Sequence, residues 1–493
     1  MATRADPVSA RRYSANNEKM PAMVKVGLVG IGLDTYWGQF EGLYDRLRGY
    51  QNQIAVRIQS FGAEVVDAGL VDAPPKSHAA AEQLRREGVE AIFLFVSTYA
   101  LSSTVLPLAQ GVGVPVIVLN LQPVRAIDYA AFNALGDRGK MTGEWLAHCQ
   151  ACCVPEIASV FNRARIPYHL VTGHFQSEDS WDEIRNWTEA ARVRAAMRQC
   201  RTGVLGHYYC GMLDVYSDLT QLSATFGTHF ELLEMAELRA LRSKVTDNGV
   251  NTKIEEFRKT FEISPDCSAS EVGRAAKTAC ALDDLVSKHD LGALAYYYEG
   301  TPGDEDQDIA TSIIAGNSLL TARHVPVAGE CEVKNVLAMK IMDCFEAGGS
   351  FSEFYLMDYE DDVILMGHDG PAHFAIAEGR VGLVPLPVFH GKPGQGLSIQ
   401  MTVKHGPVTL LSVVQGEDGK VSFLIAEGAS VPGPVLRIGN TNSRYRFPIG
   451  AKAFVETWSK AGPAHHCAIG LGHIADKLQF LAALLRIPCQ KVC

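Results

Sequence analysis

The chain has 493 residues, with 45 Lys and Arg against 55 Asp and Glu and a formal net charge of -10 at pH 7. That length exceeds the ~250–300 residues at which a single core stops growing, so two or three domains are expected. The acidic balance and dispersed basic residues exclude nucleic acid as a partner, and no apolar run reaches the ~18 residues of a membrane-spanning helix.

Residues 1–22 are polar, carry Arg4, Arg11, Arg12 and Lys19, and lack the apolar stretch of a secretory signal. They read as a disordered leader, and the protein as cytoplasmic. Residues 23–31 form a short apolar run, the pattern of a buried parallel strand. Helical pattern follows over 40–59 and 77–87, with strands at 64–69, 91–96 and 114–119. Strands alternating with helices at this spacing mean βαβ units and an open parallel sheet. Gly30-x-Gly32 follows the first strand, but Thr35 stands where a third glycine would complete a dinucleotide fingerprint, so no nicotinamide is expected. Among twelve cysteines, Cys149-Gln150-Ala151-Cys152, with Cys153 next, is the one Cys-x-x-Cys. A zinc site would want a second such pair, and the scattered thiols read as reduced and mostly buried.

A helix over 181–199 has acidic residues in its first turn. Residues 202–206 start a second α/β unit, with helices predicted over 230–241, 272–288, 309–322 and 333–347, a strand at 293–297 and an acidic loop over 302–308. After Gly348 glycine and proline become frequent, and 408–415 and 421–427 read as antiparallel strands, followed by a helix over 474–485. The expected division is the leader, parallel-sheet α/β domains over 23–175 and 176–348, and a β-rich domain over 349–493.

The residues that could carry chemistry fall in the last third. Glu330 lies in Gly329-Glu330-Cys331-Glu332-Val333-Lys334, Glu353 in Gly348-Gly349-Ser350-Phe351-Ser352-Glu353, and His368 in Met366-Gly367-His368-Asp369-Gly370-Pro371, and the pair His465-His466 comes near the end. Two carboxylates and two imidazoles can hold one divalent ion of the Mn2+ class. Such an ion can bind neighbouring sugar oxygens while a carboxylate moves a proton between carbons.

These segments resemble the L-arabinose isomerase and L-fucose isomerase superfamily. The Glu330 stretch looks like one that begins Gly-Glu-Gly-Asp, and the Glu353 stretch is similar to Gly-Gly-Thr-Ser-Phe-Met-Glu, one residue shorter. Gly367-His368 and Ala464-His465-His466 match the family's metal histidine and late His-His pair. Val171-Thr172-Gly173-His174-Phe175, with Trp187 downstream, resembles its Gly-His-Trp segment, His174 reading as structural. The resemblance implies two Rossmann-like domains followed by a β-rich C-terminal domain. It also implies a metal-dependent interconversion of an aldose and a ketose, a pentose or 6-deoxyhexose, through a cis-enediol.

By that resemblance Glu330, Glu353, His368 and His466 would ligate Mn2+ (or Mg2+ or Co2+), and the two glutamates would also act as acid and base. Glu332 competes with Glu330; on a helix the two point about 200° apart, so one should face the ion. Asp358 competes with Glu353. Strands 351–359 and 363–368, joined by Glu360-Asp361-Asp362, would set Glu353 opposite His368 and Asp358 opposite Val363, about 17 Å away, which favours Glu353. Asp369 could orient a histidine. His465 should face substrate or a proton path, because neighbours on an extended segment point opposite ways.

Gly32-Leu33-Asp34-Thr35-Tyr36-Trp37-Gly38 looks like the family's Gly-Ser-Gln-His-Leu-Tyr-Gly, which puts Asp34 and Trp37 on substrate-contacting positions. His207, Tyr208, Tyr209 and Met212 follow the second unit's first strand, at the edge where ligands bind. His390-Gly391-Lys392 and Asn440-Thr441 are further candidates. The family builds each site against a neighbour's first domain, which implies a homotrimer or homohexamer. Leu135 stands where the arabinose enzymes carry a histidine, which points to a divergent branch with another sugar. Two other readings share these residues: a sugar epimerase using the same enediol, and a non-catalytic sugar-binding protein, which would need neither the four ligands nor the third domain.

Overall fold

The computed structural model describes residues 23–301, 303–389, 392–393 and 395–493. The leader, His390, Gly391 and the side chain of Lys392 lie outside what is described. The N-terminal sheet comprises β1 (Val24–Ile31), β2 (Ala63–Val71), β3 (Ile92–Val96), β4 (Val116–Gln122) and β5 (Tyr168–His174), all parallel in the order β2-β1-β3-β4-β5. β3 is buried at every residue, as a strand covered by helices on both faces must be. A second parallel sheet uses β6 (Arg201–Gly206), β7 (His229–Leu233), β9 (Ala293–Tyr297) and β10 (Val327–Ala328), ordered β10-β9-β6-β7, while β8 (Glu262–Ile263) lies elsewhere.

The third part is antiparallel. β11 (Gly348–Asp358) and β12 (Val363–His368) are followed by β13 (Gly382–Pro385), β14 (Val388–Phe389), β15 (Lys392–Pro393) and β16 (Leu397–Gln400). Then come β17 (Gly406–Gln415), β18 (Val421–Val431), β19 (Thr441–Arg446), β20 (His466–Leu471) and β21 (Cys489–Lys491). The run β17-β20-β11-β12-β19-β18 closes through a β17–β18 pairing into a barrel, with β21 added beside β18. Closure removes the sheet's free edges. β8 joins β13 and β16 in a small separate sheet. The expected class, two parallel-sheet α/β units and then a β-rich unit, is the one observed.

Two predicted helices differ. Residues 230–241 split into β7 and a helix, Met235–Ser243. Their apolar spacing fits a helix, but pairing with β6 draws the first half into the sheet edge. Residues 309–322 break into Glu305–Ala310 and Ile314–Ala322, so helix begins inside the expected acidic loop. The helix Val333–Cys344 is buried on all faces, packed between the central sheet and the barrel. Among the described residues no helix is long and apolar enough to cross a membrane.

Candidate functional site

β10 ends on the carboxyl edge of the central sheet, where parallel α/β sheets carry their ligands. There the chain turns through Gly329, Glu330, Cys331 and Glu332 into the helix Val333–Cys344. Glu330 and Cys331 are both left-handed, at φ 55° and 57°, a conformation that costs about 1–2 kcal/mol per residue carrying a Cβ. Three main-chain bonds hold the turn: Cys331 N–H donates to Tyr296 O (2.9 Å), Tyr209 N–H to Glu330 O (3.3 Å), and Glu332 N–H to Gly329 O (3.0 Å). Glu330 is therefore not on the helix, and the helical argument against Glu332 does not apply. Both carboxylates reach His466 from opposite ring nitrogens. Glu330 Oε2 lies 3.1 Å from Nε2, and Glu332 Oε2 lies 2.5 Å from Nδ1.

The barrel supplies the rest. Glu353 lies between Gly367 on β12 and His466 on β20, not opposite His368 as expected. Asp358 does pair with Val363; a bulge between Phe354 and Leu356 takes up one residue and shifts the open end of the hairpin. Asp358 serves the turn, its Oδ1 accepting from the N–H groups of Glu360 (3.1 Å) and Asp361 (3.0 Å). The four expected ligands consequently do not all converge. Glu330, His368 and His466 bring donor atoms within 4.8 Å of one another, as do Glu353, His465 and His466. His466 belongs to both groups, and His465 bridges them, with Nε2 3.5 Å from Glu330 Oε2 and 4.0 Å from Glu353 Oε2. The two histidines do not point apart: their rings lie 3.8 Å from each other, because His465 sits on a bend before β20 begins.

Phe351 spaces the other imidazoles, its ring 4.4 Å from His368 and 4.3 Å from His466. His368 Nε2 faces Glu330 Oε1 at 3.7 Å, and its Nδ1 accepts from Gly370 N–H at 2.7 Å. Asp369 bonds to Asn440 (2.6 Å), which also donates to the Tyr355 hydroxyl (2.8 Å), and Thr441 pairs with His368 across β19. A cavity bounded by Tyr296, Tyr297, Glu330, His368 and Asp369 opens on the cluster.

Burial works to raise the pKa of Glu330, but the three imidazoles outweigh it and hold the group far below the carboxylate range. Burial works to lower His466, yet Glu330 and Glu332 push it up to about 10. Glu330 Oε2 and His466 Nε2 are buried and face each other at 3.1 Å, an ion pair when the ring is protonated.

The loop after β6 carries His207, Tyr208 and Met212 to this edge. His207 is exposed, 5.7 Å from the Tyr297 ring, and the Tyr208 hydroxyl donates to Ser217 O (3.3 Å). Met212 is half-buried in the same loop. Beyond them Asp214, which the sequence reading passed over, accepts from His465 N–H (3.0 Å) and pairs with His465 Nδ1 (2.6 Å), while Lys334 Nζ donates to its carbonyl. An acid two residues past Met212 was the available signal. Asp34 and Trp37 are not brought to the cluster. Asp34 is exposed, and Trp37 Nε1 donates to Asp72 (2.7 Å) while its ring packs edge-on against Tyr44 (5.3 Å), contacts internal to the N-terminal part.

Comparison with known proteins supports the superfamily relationship. The chain is a distant relative of the L-arabinose isomerases. It is 18% identical over 340 residues to the L-arabinose isomerase of Klebsiella pneumoniae (strain 342), covering 67% of this chain and 68% of that one. It is 22% identical over 343 residues to the Nocardioides sp. enzyme, covering 67% of each chain. The Bifidobacterium adolescentis enzyme is also 22% identical over 343 residues, covering 63% of each. No family model matches. Among solved structures, a solute binding protein from Burkholderia multivorans aligns at 12% identity and a TM-score of 0.16, over 66% of this chain and 94% of that one, too weak a likeness to carry an argument.

Proposed function

We propose that the chain is a divalent-metal-dependent aldose–ketose isomerase acting on a pentose or a 6-deoxyhexose. The observation that carries this reading is the buried group Glu330, His368 and His466, whose ligand atoms lie within 4.8 Å of one another, with Glu330 Oε2 and His466 Nε2 3.1 Å apart. With His466 neutral, Oε2 and Nε2 are two acceptors with no proton between them, a set that a cation can satisfy. The Glu332 carboxylate behind Nδ1 is the second support, since such a bond fixes the tautomer that leaves Nε2 free to ligate. Glu330, His368 and His466 would hold Mn2+, or another divalent cation such as Mg2+ or Co2+, with Glu353 joining from β11. His368 can offer Nε2 only after its Nδ1 gives up the Gly370 N–H and takes a proton. A bound ion would polarise the sugar oxygens at C1 and C2.

The chain's own groups then move the proton. The Glu353 side chain is 31% exposed against 6% for Glu330, so Glu353 is the carboxylate that reaches the C2 proton first. Glu330 is its buried partner, serving C1 across the cis-enediol. His465, held by Asp214, keeps Nε2 toward both carboxylates and donates to a sugar hydroxyl. His207, Tyr208 and Met212 form the adjoining wall. Asp34 and Trp37 contribute from a neighbouring subunit of a homotrimer or homohexamer. The exposed Tyr129 (73%), Leu135 (38%) and Trp145 (54%), around the open segment 133–140, favour such an interface. Twelve free thiols favour a reducing, cytoplasmic setting. Assaying the purified protein against a panel of aldoses with Mn2+, and reading ketose formation, tests the reading. One aldose should be converted, and conversion of none would overturn it.

A further inference from the structure

Away from the His466 cluster, three thiols meet on the loop joining the helices Arg138–Leu146 and Val154–Ala164. Cys149 and Cys153 are buried and Cys152 is exposed. The Cys152 thiol donates to Cys149 O, its Sγ 2.8 Å away. The loop is held in place. Gln150 is 1% exposed and donates to Ser97 O (2.9 Å) and Ala147 O (3.0 Å), and Cys153 Sγ bonds to Thr98 O (3.7 Å).

A metal ion does not fit this cluster, because the three sulfurs do not gather within 4.8 Å of one another. A disulfide does fit, and geometry selects the pair. Adjacent Cα atoms are ~3.8 Å apart across a trans peptide, below the ~4.4–6.8 Å that a disulfide spans, which disfavours Cys152–Cys153. Cys149 and Cys152 have two residues between them, and the Cys152 thiol already reaches the Cys149 carbonyl. We propose that Cys149 and Cys152 form a thiol–disulfide exchange site whose chemical partner is a small-molecule disulfide.

Cys152 is the sulfur that such a reagent can reach. Its thiolate attacks one sulfur of the reagent, forming a mixed disulfide and expelling one thiolate. Cys149 then attacks the Cys152 sulfur, closing the internal bond and expelling the second thiolate. The two protons lost by the cysteines end on the two released thiols, so the protein is oxidised by two electrons and the reagent reduced by two. The closed site would be felt nearby. The Tyr36 phenol lies close enough to sense all three thiols, and its ring packs against Trp37 (6.4 Å) and Phe40 (6.0 Å). This inference stands independently of the proposed isomerase activity.

The test incubates the full-length protein with oxidised glutathione, blocks free thiols, and maps peptides by mass. The expected result is a Cys149–Cys152 link, two hydrogens lighter, reversed by dithiothreitol. Cys149→Ser should stop at a glutathione adduct on Cys152, and Cys153→Ser should still form the link, circular dichroism confirming that both variants fold. Four outcomes would overturn the proposal: an unmodified Cys152, an unresolved adduct in the natural protein, a Cys152–Cys153 link, or loss of the link in folded Cys153→Ser.

Discussion

Replacing Glu332 by glutamine probes one of the two buried carboxylate contacts that set the state of His466. The two side chains are 1% and 0% exposed and their atoms lie 2.5 Å apart. Glutamine keeps an acceptor oxygen there and removes the charge. Carboxylates behind ligating histidines are worth ~10–100-fold in metal affinity, or ~1.4–2.7 kcal/mol. Glu332→Gln should therefore raise the Kd for Mn2+ by ~10–100-fold while turnover at saturating Mn2+ is retained. The same contact fixes a pH dependence. Burial lowers His466, but Glu330 and Glu332 hold it at about 10, so in metal-free protein at pH 7 the ring carries a proton. An ion must displace that proton, so the loaded state holds fewer protons and affinity rises with pH, about tenfold per unit from neutrality up to about pH 10. Titration calorimetry at pH 7, in two buffers of different ionisation enthalpy, reads both quantities. Proton release should be clear in the natural protein and reduced in Glu332→Gln. An unchanged Kd in the variant, or no proton release in the natural protein, would refute the assignment.

Glu330→Gln and Glu353→Gln should each lower kcat by ~10²–10⁴-fold in steady-state assays, whereas Asp358→Asn, confined to its turn, should leave kcat largely intact. Phe351→Ala removes the ring between His368 and His466 and should cost ~3–5 kcal/mol by denaturant unfolding, with weaker Mn2+ binding. His373 is buried with Nδ1 unpaired, and burial lowers its pKa to about 4. The unfolded chain takes up that proton first, so the contribution is full above pH ~6.5 and is lost as pH falls toward about 4, by up to ~3 kcal/mol. Acid unfolding of His373→Gln, followed by circular dichroism, should lack that component.

The parallel sheets were legible because buried strands and amphipathic helices leave different periodicities. The strand predicted at 293–297 and the hairpin partner at 363–368 match β9 and β12. What escaped was set by tertiary geometry. The bulge at Tyr355 changes what Glu353 faces, yet no residue type announces it. The left-handed Glu330 and Cys331 lack the glycines that usually mark such a turn, and main-chain bonds from Tyr209 and to Tyr296 impose it. Asp214 meets His465 across 251 residues of sequence, which no local pattern encodes. Asp34 and Trp37 were picked out by resemblance alone, and within one chain they stay in their own part of the molecule.

The most direct measurement strips the protein with a chelator, removes the chelator, and follows ketose formation from the preferred aldose as Mn2+ is added back. Activity should vanish on stripping and return with Mn2+, and Glu330→Gln should show no return. Full turnover in the stripped protein, with metal analysis confirming that none remains, would contradict a divalent ion between Glu330 and His466.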